Sequence, residues 1–276
     1  MKPAVFEYVR AASVDEAASL LADGAPDARL LAGGQSLGPM LNLRLVRPAR
    51  LIDLKRAAGM REVAADEMTF RIGAGWTHAE IEDGTVEDPA RGLLRHVARG
   101  IAYRAVRNRG TLGGSLAQAD PAADWVSALA GLGGAVVVQG KGGMQRSVPT
   151  DAFVRGAFAT ALAGDEVLVA VQMPRLSAQA RWGYHKICRK TGEFAKAIGV
   201  AVLDPVHGLA RVLAGAVEAA PVLLSQTSAR LLEAGPKAAL ALAEEESGAA
   251  LQHLRAADQA LRVVAVKRAL LQLEQG

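Results

Sequence analysis

The 276-residue chain is predicted to be an α+β protein built in three parts. Three observations carry that prediction. Strand-like and helix-like stretches alternate up to about residue 56, the pattern of a small α/β lobe. Paired strand segments then flank helical ones as far as about residue 175, and the remainder runs as three strand-like segments followed by helices. The expected divisions are therefore 1–56, 57–175 and 176–276.

Each element has a local reason. Val5 to Arg10 reads as a strand, and Ser13-Val14-Asp15-Glu16 matches a capping box that opens a helix ending near Asp23-Gly24. Arg29 to Ala32 is the next strand and delivers the glycine pair Gly33-Gly34; a short helix is expected from Leu37, with Pro39 in its first turn, before a strand at Arg50 to Leu54. Glu62 to Ala65 and Thr69 to Ala74 flank Asp66-Glu67 as a hairpin. Gly73-Ala74-Gly75 lacks the third glycine of a dinucleotide fingerprint and reads as a close backbone approach. Thr77 caps a helix through Asp83, Pro89 to Arg99 is a second helix, and Pro121 starts a third whose first turn contains Asp124. Ala135 to Gln139 and Gln145 to Val148 form a hairpin, Thr150-Asp151 caps a helical stretch around Phe153, and Glu166 to Met173 alternates as a strand ending at Pro174. Arg181 to Lys190, Ala197 to Leu203 and Leu209 to Val217 follow at hairpin spacing. Thr227 to Ala234, Pro236 to Glu246 and Ala249 to Gln275 are helical by their Ala, Leu and Glu content.

The chemistry centres on two related stretches, Leu31-Ala32-Gly33-Gly34-Gln35-Ser36-Leu37 and Arg109-Gly110-Thr111-Leu112-Gly113-Gly114-Ser115-Leu116. Each is a glycine pair followed after a short interval by serine and leucine. A glycine turn brings backbone N–H groups within reach of an anion, and two such turns can hold the two ends of one pyrophosphate. Ser36, Thr111 and Ser115 add hydroxyls, and the helix start at Leu37 adds a favourable dipole. Glycine pairs also punctuate ordinary loops, so the surrounding residues decide the reading.

Composition narrows the function. Apolar residues make up 51% of the chain, as in a globular protein, while aromatics are only 4%, so the core is built of Ala, Leu and Val. The net charge of +4 and pI near 9.4 come from interspersed Lys and Arg rather than a basic patch, which argues against nucleic acid. The single cysteine, Cys188, supplies neither a disulfide nor a thiolate-ligated cluster, and reads as a partly buried small side chain. No signal-like apolar stretch follows Met1, and the longest apolar run, Trp125 to Val138, is too short to span a bilayer; a cytoplasmic location is expected. His78, His96, His185, His207 and His253 are scattered without partners at ligand or triad spacing. If the chain is an enzyme component, its chemistry must come from a cofactor.

The two glycine stretches, together with Leu43-Arg44, Leu51-Ile52-Asp53-Leu54 and Asp120-Pro121-Ala122-Ala123-Asp124, resemble the flavin-binding signatures of the FAD-carrying medium subunit of molybdenum hydroxylases. That family includes the carbon monoxide dehydrogenase medium subunit and the FAD domain of xanthine dehydrogenase. The similarity runs in order through essentially the whole chain. It implies a bilobal PCMH-type FAD-binding domain, with subdomains at 1–56 and 57–175, and a C-terminal domain of three antiparallel strands and a helical bundle. It implies FAD on this chain, held by Ala32, Gly33, Gly34, Gln35, Ser36, Leu37, Thr111, Gly113, Gly114 and Ser115. Asp124, Leu168 and Lys186 match family positions beside the flavin, and Tyr184 and Phe194 are nearby aromatics that could cover its ring. Beside these readings stand plainer ones. Asp124 and Asp120 are candidate helix caps, Leu168 an interior leucine, and Lys186 a snorkelling surface lysine. Gln35 and Leu112 depart from the commoner family residues without touching backbone contacts to phosphate.

The resemblance further implies two partners, a small iron-sulfur subunit with 2Fe-2S clusters and a large subunit with the molybdopterin cofactor, joined as a dimer of heterotrimers. No substrate-directed catalytic residue is expected on this chain. Two other classes of function are separable by assay: a self-sufficient FAD oxidoreductase would reduce its flavin with a substrate unaided, and a non-catalytic nucleotide-binding scaffold would bind another phosphate ligand and no flavin. Asp124→Ala is expected from the sequence to weaken FAD by one or two hydrogen bonds, about 1–3 kcal/mol.

Overall fold

A computed structural model describes residues 2–23 and 27–274. The first lobe is β1 (Glu7–Arg10), α1 (Val14–Ala22), β2 (Ala28–Leu31), α2 (Leu37–Asn42) and β3 (Arg50–Asp53). Its three strands are parallel in the order β1-β3-β2. Ser13 caps α1 by accepting from the Glu16 N–H at 3.1 Å, while the Glu16 carboxylate reaches back to the Ala12 N–H rather than that of Ser13, one residue beyond a true capping box. Gly24, expected near the end of this helix, lies outside the described residues. The buried face of α1, Val14, Ala17 and Ala18, joins the core shared with the second lobe.

That second lobe opens with β4 (Val63–Ala65), β5 (Thr69–Gly73), α3 (His78–Asp83), α4 (Leu93–Arg99), α5 (Arg104–Arg107), α6 (Leu112–Gln118) and α7 (Asp124–Gly131). It continues with β6 (Ala135–Gln139), β7 (Gln145–Pro149), α8 (Thr150–Phe153), β8 (Val154–Gly156), β9 (Ala159–Thr160) and β10 (Val167–Pro174). An antiparallel sheet of order β4-β5-β10-β6-β7 results, with β8 and β9 paired apart from it. The hairpin at Asp66 forms because its carboxylate accepts from the N–H groups of Met68 and Thr69 at 2.8 and 2.7 Å. Thr77 and Glu80 complete a capping box on α3. Two helix starts differ from expectation: left-handed Arg91 and Gly92 delay α4 to Leu93, and Pro121 lies in a turn before α7.

The third part is β11 (Arg181–Ile187), β12 (Ala197–Asp204), β13 (Leu209–Gly215), β14 (Val222–Leu223), α9 (Ser225–Ala250) and α10 (Ala256–Gln272). The three expected antiparallel strands are joined at the sheet edge by short β14. Two of the expected helices are the halves of α9, broken at Gly235 where φ is 80°; the third begins at Ala256 rather than Ala249, and Gln275 lies outside the described residues. α10 lies directly on the sheet. A Cβ at Gly183 would come within 1.9 Å of the Ala269 carbonyl oxygen and one at Gly199 within 2.2 Å of that of Ala265, so both strand positions need the bare backbone of glycine.

Strand alternation makes β12 a partition. Ile198, Val200 and Val202 face the large core that also contains Phe70, Ile72, Trp125 and Phe153, whereas Ala201 and Leu203 face a second core with Val266, Ala269 and Leu270 of α10. The large core thus runs from α1 through the five-stranded sheet to the C-terminal sheet. No helix among the described residues is long and apolar enough to cross a membrane.

Candidate functional site

The first glycine stretch leaves the C-terminal end of β2. Gly34 takes a left-handed φ of 70°, which turns the chain into α2 starting at Leu37. Within the turn, Gln35 Nε2 donates to the Gly33 carbonyl at 3.1 Å, and the Gly34 and Ser36 carbonyls accept from Gly38 and Met40. Among the described residues nothing accepts from the N–H groups of Gly33, Gly34, Gln35 and Ser36. Ala32 to Gln35 are half-buried, Ser36 is exposed, and its hydroxyl makes no cap bond. The turn therefore presents a run of unused donors.

The second stretch is built differently. Thr111 is the N-cap of α6, and Gly113-Gly114 lie in the helix's first turn rather than in a loop. Thr111 Oγ1 accepts from the Gly114 N–H at 3.1 Å, the Leu112 and Gly113 N–H groups donate to Trp76 and Ala74 carbonyls, and the Ser115 N–H donates to the Thr111 carbonyl. These N–H groups are already used, so the expected symmetry of two equal cradles is corrected: what this stretch has to offer an anion is the Thr111 N–H and the hydroxyls of Thr111 and Ser115. The two stretches nevertheless meet. A Cβ at Gly33 would stand 2.0 Å from the Arg109 carbonyl oxygen and 2.8 Å from Gly110 Cα, and one at Gly114 would be 3.7 Å from Ala32 Cβ.

Asp124, Tyr184 and Lys186 come together at the start of α7. Asp124 is the first helical residue and is buried; Asp120 does not cap α7 but bonds the Ala122 N–H in the preceding turn. The Tyr184 hydroxyl donates to Asp124 Oδ1 at 2.7 Å, and Lys186 Nζ donates to Oδ2 at 2.8 Å and to the Gly100 carbonyl at 3.2 Å. With its side chain only 10% exposed, Lys186 is no snorkelling surface residue. Burial raises the Asp124 carboxyl, and the Lys186 charge and the two hydrogen bonds oppose that rise. Burial raises the Tyr184 phenol well above its ordinary range as well. Tyr184 is also corrected in role: its ring is buried, edge-on to His96 at 5.9 Å between centroids, and is not a free cover for a flavin face. Phe194 is 66% exposed. Leu168 is an interior residue of β10, at an irregular step in its pairing with β6.

Sequence reasoning missed two supports. Arg107, paired with Glu82, donates to the Ile101 and Ala102 carbonyls at 2.9 Å, fixing the segment next to Gly100. His78, expected to be either a satisfied or an exposed histidine, is a satisfied one whose partner the sequence did not show: its Nδ1 accepts from Trp125 Nε1–H at 3.1 Å in the core. Only the Thr77 capping box, which places His78 in the first turn of α3, hinted at its position.

Burial, with Arg107 adding to it, pushes the His78 imidazole down to about 4. As pH falls below the ordinary 6.5 the unfolded chain takes the proton first, so stability present above 6.5 is lost progressively down to about 4. The full loss is about 3 kcal/mol. Urea unfolding of wild type and His78→Gln at pH 7 and pH 5 checks this, the glutamine variant being expected to lose less stability between the two.

The family model described as the FAD binding domain in molybdopterin dehydrogenase matches residues 4–176. The chain is 38% identical to the carbon monoxide dehydrogenase medium chain of Hydrogenophaga pseudoflava over 74% of its own length and 70% of that protein's. It is 37% identical to 6-hydroxypseudooxynicotine dehydrogenase complex subunit alpha of Paenarthrobacter nicotinovorans, over 71% of this chain and 66% of that one. The aligned part thus spans about two thirds of these relatives' length. Among solved structures, Hydrogenophaga pseudoflava carbon monoxide dehydrogenase superposes with a TM-score of 0.89 at 32% identity, covering 100% of this chain and 99% of the other. Quinoline 2-oxidoreductase from Pseudomonas putida 86 gives 0.88 at 34% identity with the same coverage. The agreement extends over both lobes and the C-terminal sheet and helices, and the chain belongs to the family of FAD-binding domains of molybdopterin dehydrogenases.

Proposed function

We propose that this chain is the FAD subunit of a heteromeric molybdenum hydroxylase, taking electrons from 2Fe-2S clusters on a small partner and delivering them to an external acceptor. The observation that carries the reading is the run of unused N–H donors from Gly33 to Ser36, seated against Arg109-Gly110. Such a row fits a diphosphate, which needs several donors at once and tolerates no Cβ between itself and the backbone. FAD when bound supplies the redox chemistry, accepting and releasing electrons singly or in pairs.

The chain's own residues hold and surround it. The Gly33–Ser36 amides and the Ser36, Thr111 and Ser115 hydroxyls grip the diphosphate, with Ala32, Leu37, Gly113 and Gly114 giving the close approach. Lys186, anchored by Asp124 and by the Gly100 carbonyl, would set a positive charge beside a bound flavin ring, with Tyr184 keeping Asp124 in place and Leu168 of β10 backing the ring. The divisions at 1–56, 57–175 and 176–276 are proposed as the two flavin-binding subdomains and the C-terminal domain, each containing one of the three principal sheets.

The substrate is oxidised elsewhere in the complex, on a large subunit with the molybdopterin cofactor. Among the described residues no group of His, Cys, Asp and Glu is arranged to hold a metal ion. Purified chain given FAD is expected to take up one flavin per chain, to prefer FAD over FMN, and to show no flavin bleaching by substrate until both partners are added. Bleaching by substrate with the single chain would overturn the assignment in favour of a self-sufficient oxidoreductase.

A further inference from the structure

The ring of His78 lies beneath Gly110. A Cβ at Gly110 would be 2.8 Å from Nε2 and 2.9 Å from Cδ2 of the imidazole, so nothing but the glycine backbone separates the ring from that segment. Gly110 also meets the first turn, where a Cβ at Gly33 would stand 2.8 Å from Gly110 Cα. Gly33 and the His78 ring thus both approach Gly110 with no side chain of that residue between them. His78 is held at two points, one on its backbone and one on its ring. Its backbone N–H donates to the Gly110 carbonyl at 2.9 Å, and its Nδ1 accepts from the buried Trp125 at 3.1 Å. The second bond requires an unprotonated Nδ1, which the burial of His78 favours. Trp125 directly follows Asp124 on α7, so the same contact ties the glycine turns to the helix start that carries the Asp124–Lys186 pair.

We propose that His78 is a positioning residue for the diphosphate end of the flavin site, holding Arg109-Gly110 at the depth on which the Gly33–Ser36 turn seats, with Trp125 as its anchor. The proposal rests on the reading that this turn binds the FAD diphosphate. It assigns His78 no contact with the cofactor and no proton transfer. A side chain of similar bulk without an acceptor would lose the Trp125 anchor and let Arg109-Gly110 drift, whereas glutamine can still accept from Trp125.

The test uses the full chain. FAD dissociation constants and the thermal midpoint of the flavin-free protein are measured for wild type, His78→Leu, His78→Gln, Trp125→Phe and the His78→Leu/Trp125→Phe double variant. His78→Leu is expected to weaken FAD roughly tenfold, the worth of one buried hydrogen bond. His78→Gln should recover most of that loss, and His78→Leu should add little in the Trp125→Phe background because both remove one contact. If His78→Leu does not fold, Trp125→Phe alone should show the weakened affinity. Wild-type affinity in both His78→Leu and Trp125→Phe, or additive losses in the double variant, overturns the proposal while leaving flavin binding intact. A wild-type chain that takes up no FAD overturns the functional reading and the proposal with it.

Discussion

Gly33→Val is expected to weaken FAD binding by up to about a hundredfold while the C-terminal sheet and helices remain folded. The first added carbon would stand 2.0 Å from the Arg109 carbonyl oxygen and 2.8 Å from Gly110 Cα, both backbone atoms that cannot rotate away. The turn must lift off its support. Overpacking of this kind costs about 1–3 kcal/mol, up to about a hundredfold in affinity if the whole cost falls on the bound state. The reason is steric, since the positive φ of this turn belongs to Gly34. Gly38→Ala is the matched control, because a Cβ there meets nothing within 4 Å and alanine favours α2. Flavin-to-protein absorbance ratios of the purified variants decide the matter, and an unchanged ratio for Gly33→Val would remove this turn from the site. Gly114→Val acts by another route, since its Cβ would press on Thr111 Oγ1 at 2.8 Å and disturb the cap of α6.

Asp124→Ala is expected to cost about 3–5 kcal/mol of folding stability, far more than the loss of a contact to cofactor. Both carboxylate oxygens are engaged by the chain itself, and Asp124 and Lys186 side chains are 5% and 10% exposed. Removing the carboxylate leaves a lysine charge enclosed and the Tyr184 hydroxyl without its acceptor. The cost cannot be taken as the value of the ion pair alone, because most of it is the stranded charge. Asp124→Ala/Lys186→Met should therefore be more stable than Asp124→Ala alone, which a double-mutant cycle read by urea unfolding would show. A loss below about 1 kcal/mol for Asp124→Ala would mean that the pair behaves as an exposed one. The sequence placed Asp124 in the first turn of its helix, but the two partners that enclose it, Tyr184 and Lys186, were not visible there.

What was legible and what was not divides along the range of the interaction. The hairpin at Asp66, the Thr77 cap of α3, the helix start at Leu37 and the break at Gly235 all follow from residues within a few positions of each other, and the sequence determined them. The same holds for the first glycine stretch, whose residue types mark it as backbone-exposing, and the order of the two stretches along the chain carries the family. Local chemistry failed where packing overruled it: Pro121 did not start α7, and the second glycine pair became a capped helix turn rather than a second open cradle.

Only the tertiary structure decided which residues face one another. His78 meets Trp125 across 47 residues of chain, and Asp124 meets Tyr184 and Lys186 across 60 and 62. Those pairings arise when α7 packs against α4, α6 and the C-terminal strands β12 and β13, and the free energy that selects them is the burial of apolar surface. Turn and cap chemistry is settled by neighbouring backbone groups and can be read from composition and spacing. Which buried charge finds which partner depends on how whole layers pack, and no short stretch of sequence contains that information.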